Sequence, residues 1–239
     1  CSGPFRSTKL ETLHRNRSMR VRVRPGLALS TNARRLHLQF VIFGIVTGST
    51  LAIATIGFAM VRQTENFLNI AHAQMMALGA FIGVFLVDRF DMNIFLAGAV
   101  TVVAVGLLGV VLSAVVFRPV RNQGGTVLLF TSIGLALMIY AVIIAIFSTR
   151  SRIYSVDFGG LHEFGGVNIA TGELVIVGLA LAGVIALQLF LGMTSLGRSV
   201  RAVASNGELA QVRGVPVNRV SNTIWFISSA FAAMAGVMI

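Results

Sequence analysis

Charge is scarce in this sequence: Asp, Glu, Lys and Arg make up 11% of the 239 residues, while 56% are hydrophobic. A water-soluble domain of this length could not hide that much apolar surface, whereas a bilayer solvates it directly. Cysteine is nearly absent too. With Cys1 alone, an internal disulfide and any multi-cysteine metal site are excluded. The four histidines, His14, His37, His72 and His162, share no ligand spacing. The one lysine is Lys9, outside the Gly-Lys-Ser/Thr context that a Walker A loop needs to hold phosphate.

What is present is apolar length. Six stretches carry no charged residue: 36–61, 66–87, 92–117, 122–149, 174–197 and 220–239. Each exceeds the ~18 residues that mark a membrane-span candidate. None shows the alternation of a β-barrel strand, and none has the polar stripe of a soluble bundle helix. The expected fold is all-α, a polytopic helical membrane protein whose membrane domain is 38–239. Residues 1–37 hold nine of the nineteen basic residues, with Glu11 as their only acid, and are expected to form a basic flexible tail. Such a tail fits a cytosolic flank lying on anionic lipid; an organelle transit peptide is the other reading. With Phe5 as its one aromatic ring it does not fit a nucleic-acid arm. The chain lacks an initiator Met and ends inside an apolar run, so a fragment truncated at the C-terminus is expected, with Met19 a candidate start.

Polar residues inside the spans are the candidates for a solute path. The first run carries Gly44, Gly48, Ser49 and Thr50, where Gly44-x3-Gly48 admits a close helix neighbour or exposes backbone to a polar path. Asn66, Asn69, His72 and Gln74 make the second run the most polar; facing lipid unpaired, each would cost several kcal/mol. Thr131 and Ser132, near the middle of the fourth run, can bond back to their own helix or face a solute. Arg118 and Arg121 follow the third run, and Pro119 is expected to bar helix continuation there. If the basic tail, this arginine loop and the arginine-rich 197–220 segment are all cytosolic, six plain crossings do not suffice. Making 66–88 a broken or re-entrant segment restores the count, and non-helical backbone at that depth must line a cavity. The rival is a tail that is foreign sequence or lies outside.

Between the last two runs, 196–224 reads as a basic knob held clear of the membrane. Ser205 and Glu208 stand at capping-box spacing, Gly214 supplies a C-terminal stop, and Pro216 prevents resumption. The product is a helix of about two turns, roughly 12 Å long, offering Leu209, Val212 and Arg213 to a partner.

Glu208, Ala210 and Gly214, with Ile224 ten positions on, resemble the E-A-A-x3-G-x9-I signature of ATP-binding-cassette (ABC) importer permeases; Leu209 replaces the first Ala. Further stretches resemble the permeases of branched-chain amino-acid importers. These are Gly44 to Thr50 with Asn69, Ala71 and His72, then Arg118 to Arg121 with Ser132 and Gly134, then Gly197 to Ala202. Ala73 and Gln74 depart from the Gly and acid usual after the His. The resemblance implies a permease fold without its own ATPase site and with no cofactor in this chain, ATP and Mg being bound by partner ATPase subunits. It implies a second homologous permease subunit and an extracytoplasmic substrate-binding protein, in an inner cell membrane with the coupling segment 197–220 cytoplasmic. ATPase coupling would fall to Ser205, Glu208, Leu209, Ala210, Val212, Arg213 and Gly214. The substrate path would fall to Gly48, Ser49, Thr50, Asn69, His72, Thr131 and Ser132. The nearest alternative cargo is urea or a short amide. An ATP-independent secondary transporter would need intramembrane carboxylates, and every Asp and Glu lies at a span edge or in a loop.

Overall fold

The computed structural model describes residues 25–147, 160–164 and 167–239, with side chains of the first helix from residue 37 onward. In chain order the elements are α1 (Pro25–Glu65), α2 (Ala71–Phe90), α3 (Ile94–Leu112), a π-turn (Ser113–Phe117), a single turn α4 (Arg118–Val120), a 3-10 turn (Arg121–Gln123) and α5 (Gly125–Phe147). A two-stranded antiparallel hairpin follows, β1 (Leu161–Phe164) and β2 (Val167–Ala170), then α6 (Thr171–Met193), α7 (Ser195–Ser205), α8 (Gly207–Val212) and α9 (Val217–Val237). Among the described residues six helices are long and apolar enough to cross a membrane, with mean hydropathy from 1.3 to 2.7. The chain is a polytopic helical membrane protein.

The bundle is built around α9, the least apolar of the six and the most buried. Its inner faces carry Ser221, Ser228, Ser229, Ala232, Ala233 and Gly236, all buried. In lipid, helices are drawn together by close packing rather than by water exclusion, so small residues mark the contacts. Neighbours meet α9 through glycine notches. A Cβ on Gly57 of α1 would lie 2.9 Å from Ser228 O, one on Gly79 of α2 2.6 Å from Ala233 Cα, and one on Gly109 of α3 2.0 Å from Ser229 Oγ. Around this centre α5 packs on α2, where Phe81 stacks on Phe147 at 5.4 Å, and α6 packs on α1, where Gly183 meets Ile53. Large apolar residues such as Phe40, Phe43, Leu107, Phe130, Leu137 and Leu181 point outward, as lipid permits.

Several expectations change. Gly44 and Gly48 meet no other helix among the described residues, for a Cβ on either would have nothing within 4 Å. Pro119 does not end the third helix. The chain widens into the π-turn just before it, with the Arg118 N–H bonded to Ser113 O, and continues to Gln123, where Gly124 turns it at φ +97°. Helical backbone begins at Pro25, upstream of Leu38. The hairpin stands where only a loop was expected.

Topology changes as well. Glu65 ends α1 beside Arg121 and Ser221, so the ends of α1 and of the third span and the start of α9 share one face. The opposite end of α1 is a full bilayer away, since 29 residues from His37 to Glu65 form the span. Residues 25–37 of the expected tail are helical and stand at the end of α1 opposite Arg118; residues 1–24 lie outside the described residues. From Glu65 the chain turns at Asn66 (φ +60°) and runs back inward without helical structure over 66–70. There the Ile70 N–H reaches Ser132 Oγ, about 10 Å into α5, and His72 reaches Ala54 O, about 16 Å up α1. The 66–88 run is therefore not the broken or re-entrant segment expected: its non-helical part is 66–70, and α2, an unbroken helix that starts inside the bundle, is itself one of the six described spans.

Candidate functional site

The knob is two helices, not one. Thr194 caps α7 by accepting the Gly197 N–H at 2.9 Å, and Gly197 lies so close to the Leu191 backbone that a Cβ would fall 2.3 Å from Leu191 O. Its apolar face, Gly197, Val200 and Val203, is buried, while Arg198 and Arg201 are exposed and Arg201 donates to Leu191 O.

Asn206 separates the two helices. Its Oδ1 accepts the Leu209 N–H at 2.9 Å, so Asn206 is the N-cap of α8 and the expected capping box of Ser205 and Glu208 does not form. Ser205 ends α7 instead, because an N-cap must sit outside the helix it caps. The far end is a Schellman motif: Gly214 N–H to Gln211 O and Val215 N–H to Ala210 O, both 3.0 Å, with Gly214 at φ +79°. Ala210 is buried beneath α8, while Ser205, Glu208, Leu209, Val212, Arg213 and Gly214 are exposed, Val212 by 85%.

Beneath α8 lies a polar cleft of about 930 Å³, walled by Glu65 and Asn66 of the α1 end, Arg121 and Asn122 of the third span, and Glu208 and Gln211 of α8. In its wall Glu65 pairs with Arg121 at 3.1 Å and accepts the Ser221 hydroxyl. Arg118 donates to the side chain of Asn222 and to Asn218 O.

The candidate path residues separate into two sets. His72, Asn69 and Ser132 come together at the break. His72 Nε2 lies 3.0 Å from Ala54 O and Nδ1 3.3 Å from Ser228 Oγ, so one ring ties α1, α2 and α9. Ser132 Oγ accepts from Ile70 N and donates toward Leu129 O at 2.7 Å, with Leu68 O at 3.2 Å. Asn69 is 2% exposed, and its Oδ1 has no hydrogen-bond partner among the described residues. The second set is not gathered there. Ser49, Thr50 and Thr131 bond to carbonyls one turn back in their own helices, at 2.7, 3.3 and 2.8 Å, and Gly48 is exposed.

The family described as "Branched-chain amino acid transport system / permease component" matches residues 40–239, which takes in all but the first three residues of the six described spans, the break and the knob. The chain belongs to that family. The permease is 27% identical over 216 residues to the high-affinity branched-chain amino acid transport system permease protein LivH of Salmonella typhimurium, covering 84% of this chain and 70% of the relative. LivH of Escherichia coli K12 gives the same identity and coverage. BraD of Pseudomonas aeruginosa, a permease protein of the same description, is 25% identical over 216 residues, with 85% and 70% covered. No solved structure matches at a significant level.

Sequence reasoning missed three parts of this permease's site. Asn206 was legible, because Asn before Gly-Glu is a strong N-cap pattern that competed with Ser205. Glu65 and Arg121 stood in plain view as span-edge charges, but their pairing spans 56 positions of sequence and carries no local signal. Ser221 and Ser228 looked like ordinary small residues of the last span.

Proposed function

We propose that this chain is the membrane-spanning permease subunit of an ABC importer that moves branched-chain or related amino acids, driven by ATP hydrolysis in a separate subunit. The observation that carries the reading is α8. Six residues cannot hold a helix by propensity, yet this one is capped at both ends and displays Leu209 and Val212 outside the bundle, where neither contributes to a core. A stiff apolar knob of that size suits a groove on a partner, and ATPase subunits holding ATP and Mg are the partner that the family membership supports. Glu208 and Arg213 flank the apolar pair and supply polar contacts.

The family membership supports a cytoplasmic assignment, in an inner membrane, for the face that carries α8 together with Arg118, Arg121, Arg198, Arg201, Arg213 and Arg219. Asn69, His72 and Ser132, at the only non-helical backbone inside the described bundle, support a solute path there. A second permease subunit across the path and an extracytoplasmic binding protein complete the machine. The names of the relatives support branched-chain amino acids as cargo.

The test is reconstitution of the purified complex in liposomes. Labelled leucine should accumulate only with ATP and the ATPase subunit present, unlabelled leucine should compete and urea should not. Val212→Glu should abolish uptake while leaving the permease folded. Leucine uptake by this chain alone would refute the reading.

A further inference from the structure

We propose that Glu65, Arg121 and Ser221 form a closed relay that delivers the movement of α8 to the membrane helices; the proposal rests on the function argued above. The relay begins in the linker. Between α8 and α9 only residues 213–216 are non-helical, and the Schellman bonds to Gln211 and Ala210 stiffen them from the α8 side. From the α9 side the Arg219 and Val220 N–H groups bond to Pro216 O at 2.9 and 3.1 Å. A displacement of α8 therefore passes into α9 without a slack segment to absorb it. Just beyond that first turn stand Ser221 and Asn222.

Those two residues grip the other helix ends. Ser221 donates to Glu65, the last residue of α1, whose second carboxylate oxygen holds Arg121 at 3.1 Å; Asn222 accepts from Arg118. An exposed ion pair would contribute little. This one differs, since the Glu65 side chain is 7% exposed and both its oxygens are engaged. Directly beneath, three rings repeat the same connection: Phe67 of the break stacks on Phe117 of the π-turn at 5.3 Å, and Trp225 of α9 lies 4.7 Å from Phe117 and 6.4 Å from Phe67. Two of the elements so joined depart from α-helix at this face, α1 at the turn of Asn66 and the third span at its π-turn, and the third, α9, is continuous helix. Such points would flex separately under load, and the weld makes them move as one. Its output is the stretch 66–70, which ends at Asn69 and His72.

Glu65 and Arg121 are thus positioning residues, and the relay works closed. In the complete transporter in liposomes, with ATP hydrolysis and labelled leucine uptake read together, Glu65→Gln and Arg121→Gln should each lower uptake per ATP at least about fivefold, the low end of coupling between linked sites. Association with the ATPase and the emission of Trp225, the one tryptophan, should stay unchanged. The swap Glu65→Arg with Arg121→Glu should recover most of the ratio. Ser221→Ala, which removes one hydroxyl and no charge, should lower the ratio less but in the same direction. Wild-type uptake per ATP in the single variants overturns the relay, as does a folded swap that recovers nothing. If the charge variants fail to assemble, Ser221→Ala decides, and an unchanged ratio there overturns the proposal. Val212→Glu separates the two levels. If it too leaves uptake per ATP unaltered, the functional reading itself fails; if it uncouples while Ser221→Ala and Glu65→Gln do not, only the relay fails.

Discussion

Replacing Gly109 by Ala tests the contact between α3 and α9 with a single methyl group. The added Cβ would lie 2.0 Å from Ser229 Oγ, 2.6 Å from Ser229 Cβ and 3.0 Å from Trp225 O. Against the 3.4 Å at which ordinary contact begins, the worst of these falls short by about 1.4 Å. The hydroxyl can rotate away, losing its 3.4 Å contact to Met75 Sδ, but Ser229 Cβ cannot move without its helix. Overpacking of this kind costs about 1 to 3 kcal/mol. Ser229→Gly removes both offending atoms and on its own costs about 1 kcal/mol as a mid-helix glycine. In the double variant the two worst contacts are gone, so the combined cost should fall below the sum of the single costs by about 1 to 2 kcal/mol. Trp225, 1% exposed and next to the perturbation, reports unfolding by its emission in a denaturant titration in mixed micelles. Additivity within about 0.5 kcal/mol would falsify the packing of α3 on α9 and with it the central place given to that helix.

Three further outcomes test the site. Asn206→Ala should destabilise α8 by about 1 kcal/mol through the lost cap, read as faster amide exchange over 207–212, whereas Ser205→Ala should leave that exchange unchanged; equal effects would restore the capping box. Gly214→Ala should cost about 1 to 2 kcal/mol because a Cβ is strained at φ +79°, and increased proteolysis at 213–216 should accompany a loss of uptake. Ser132→Ala should leave the Ile70 N–H unpaired inside the bundle at a cost of about 1 to 3 kcal/mol, seen as faster exchange at Ile70, while Thr131→Ala, whose hydroxyl only bonds back to Val127 O, should not change it.

Much of the architecture was legible because a bilayer imposes simple demands. Uncharged runs of sufficient length must be helices, and each run holds the greater part of one long helix, though only α3 and α5 lie wholly inside theirs. The polarity of 66–74 announced a feature that lipid would not tolerate, and a break lies there. What failed were the inferences that depended on partners distant in sequence. Ser205 and Asn206 both suit an N-cap, and only the end of α7 decides between them. Gly44 and Gly48 have the spacing of a packing motif, yet the glycines that admit neighbours are Gly57, Gly79 and Gly109, of which only Gly79, with Gly83, has a partner at that spacing. Arginine counting left two sides open for the start of the first span; the deciding constraint is the Glu65 carboxylate, which fixes the end of α1 beside Arg121.

The place of α9 bears on biogenesis. A ribosome makes α1, α2 and α3 well before the helix that fills the notches at Gly57, Gly79 and Gly109. Until it arrives, those recesses must be occupied by lipid tails, and the newborn chain is a loose raft of spans. With mean hydropathy 1.3 against 2.7 for α3 and α6, α9 is also the segment least able to partition into the membrane unaided. Its insertion and the closing of the raft are then a single event, and substitutions that only make α9 greasier would ease its entry while spoiling the fit that gathers the others.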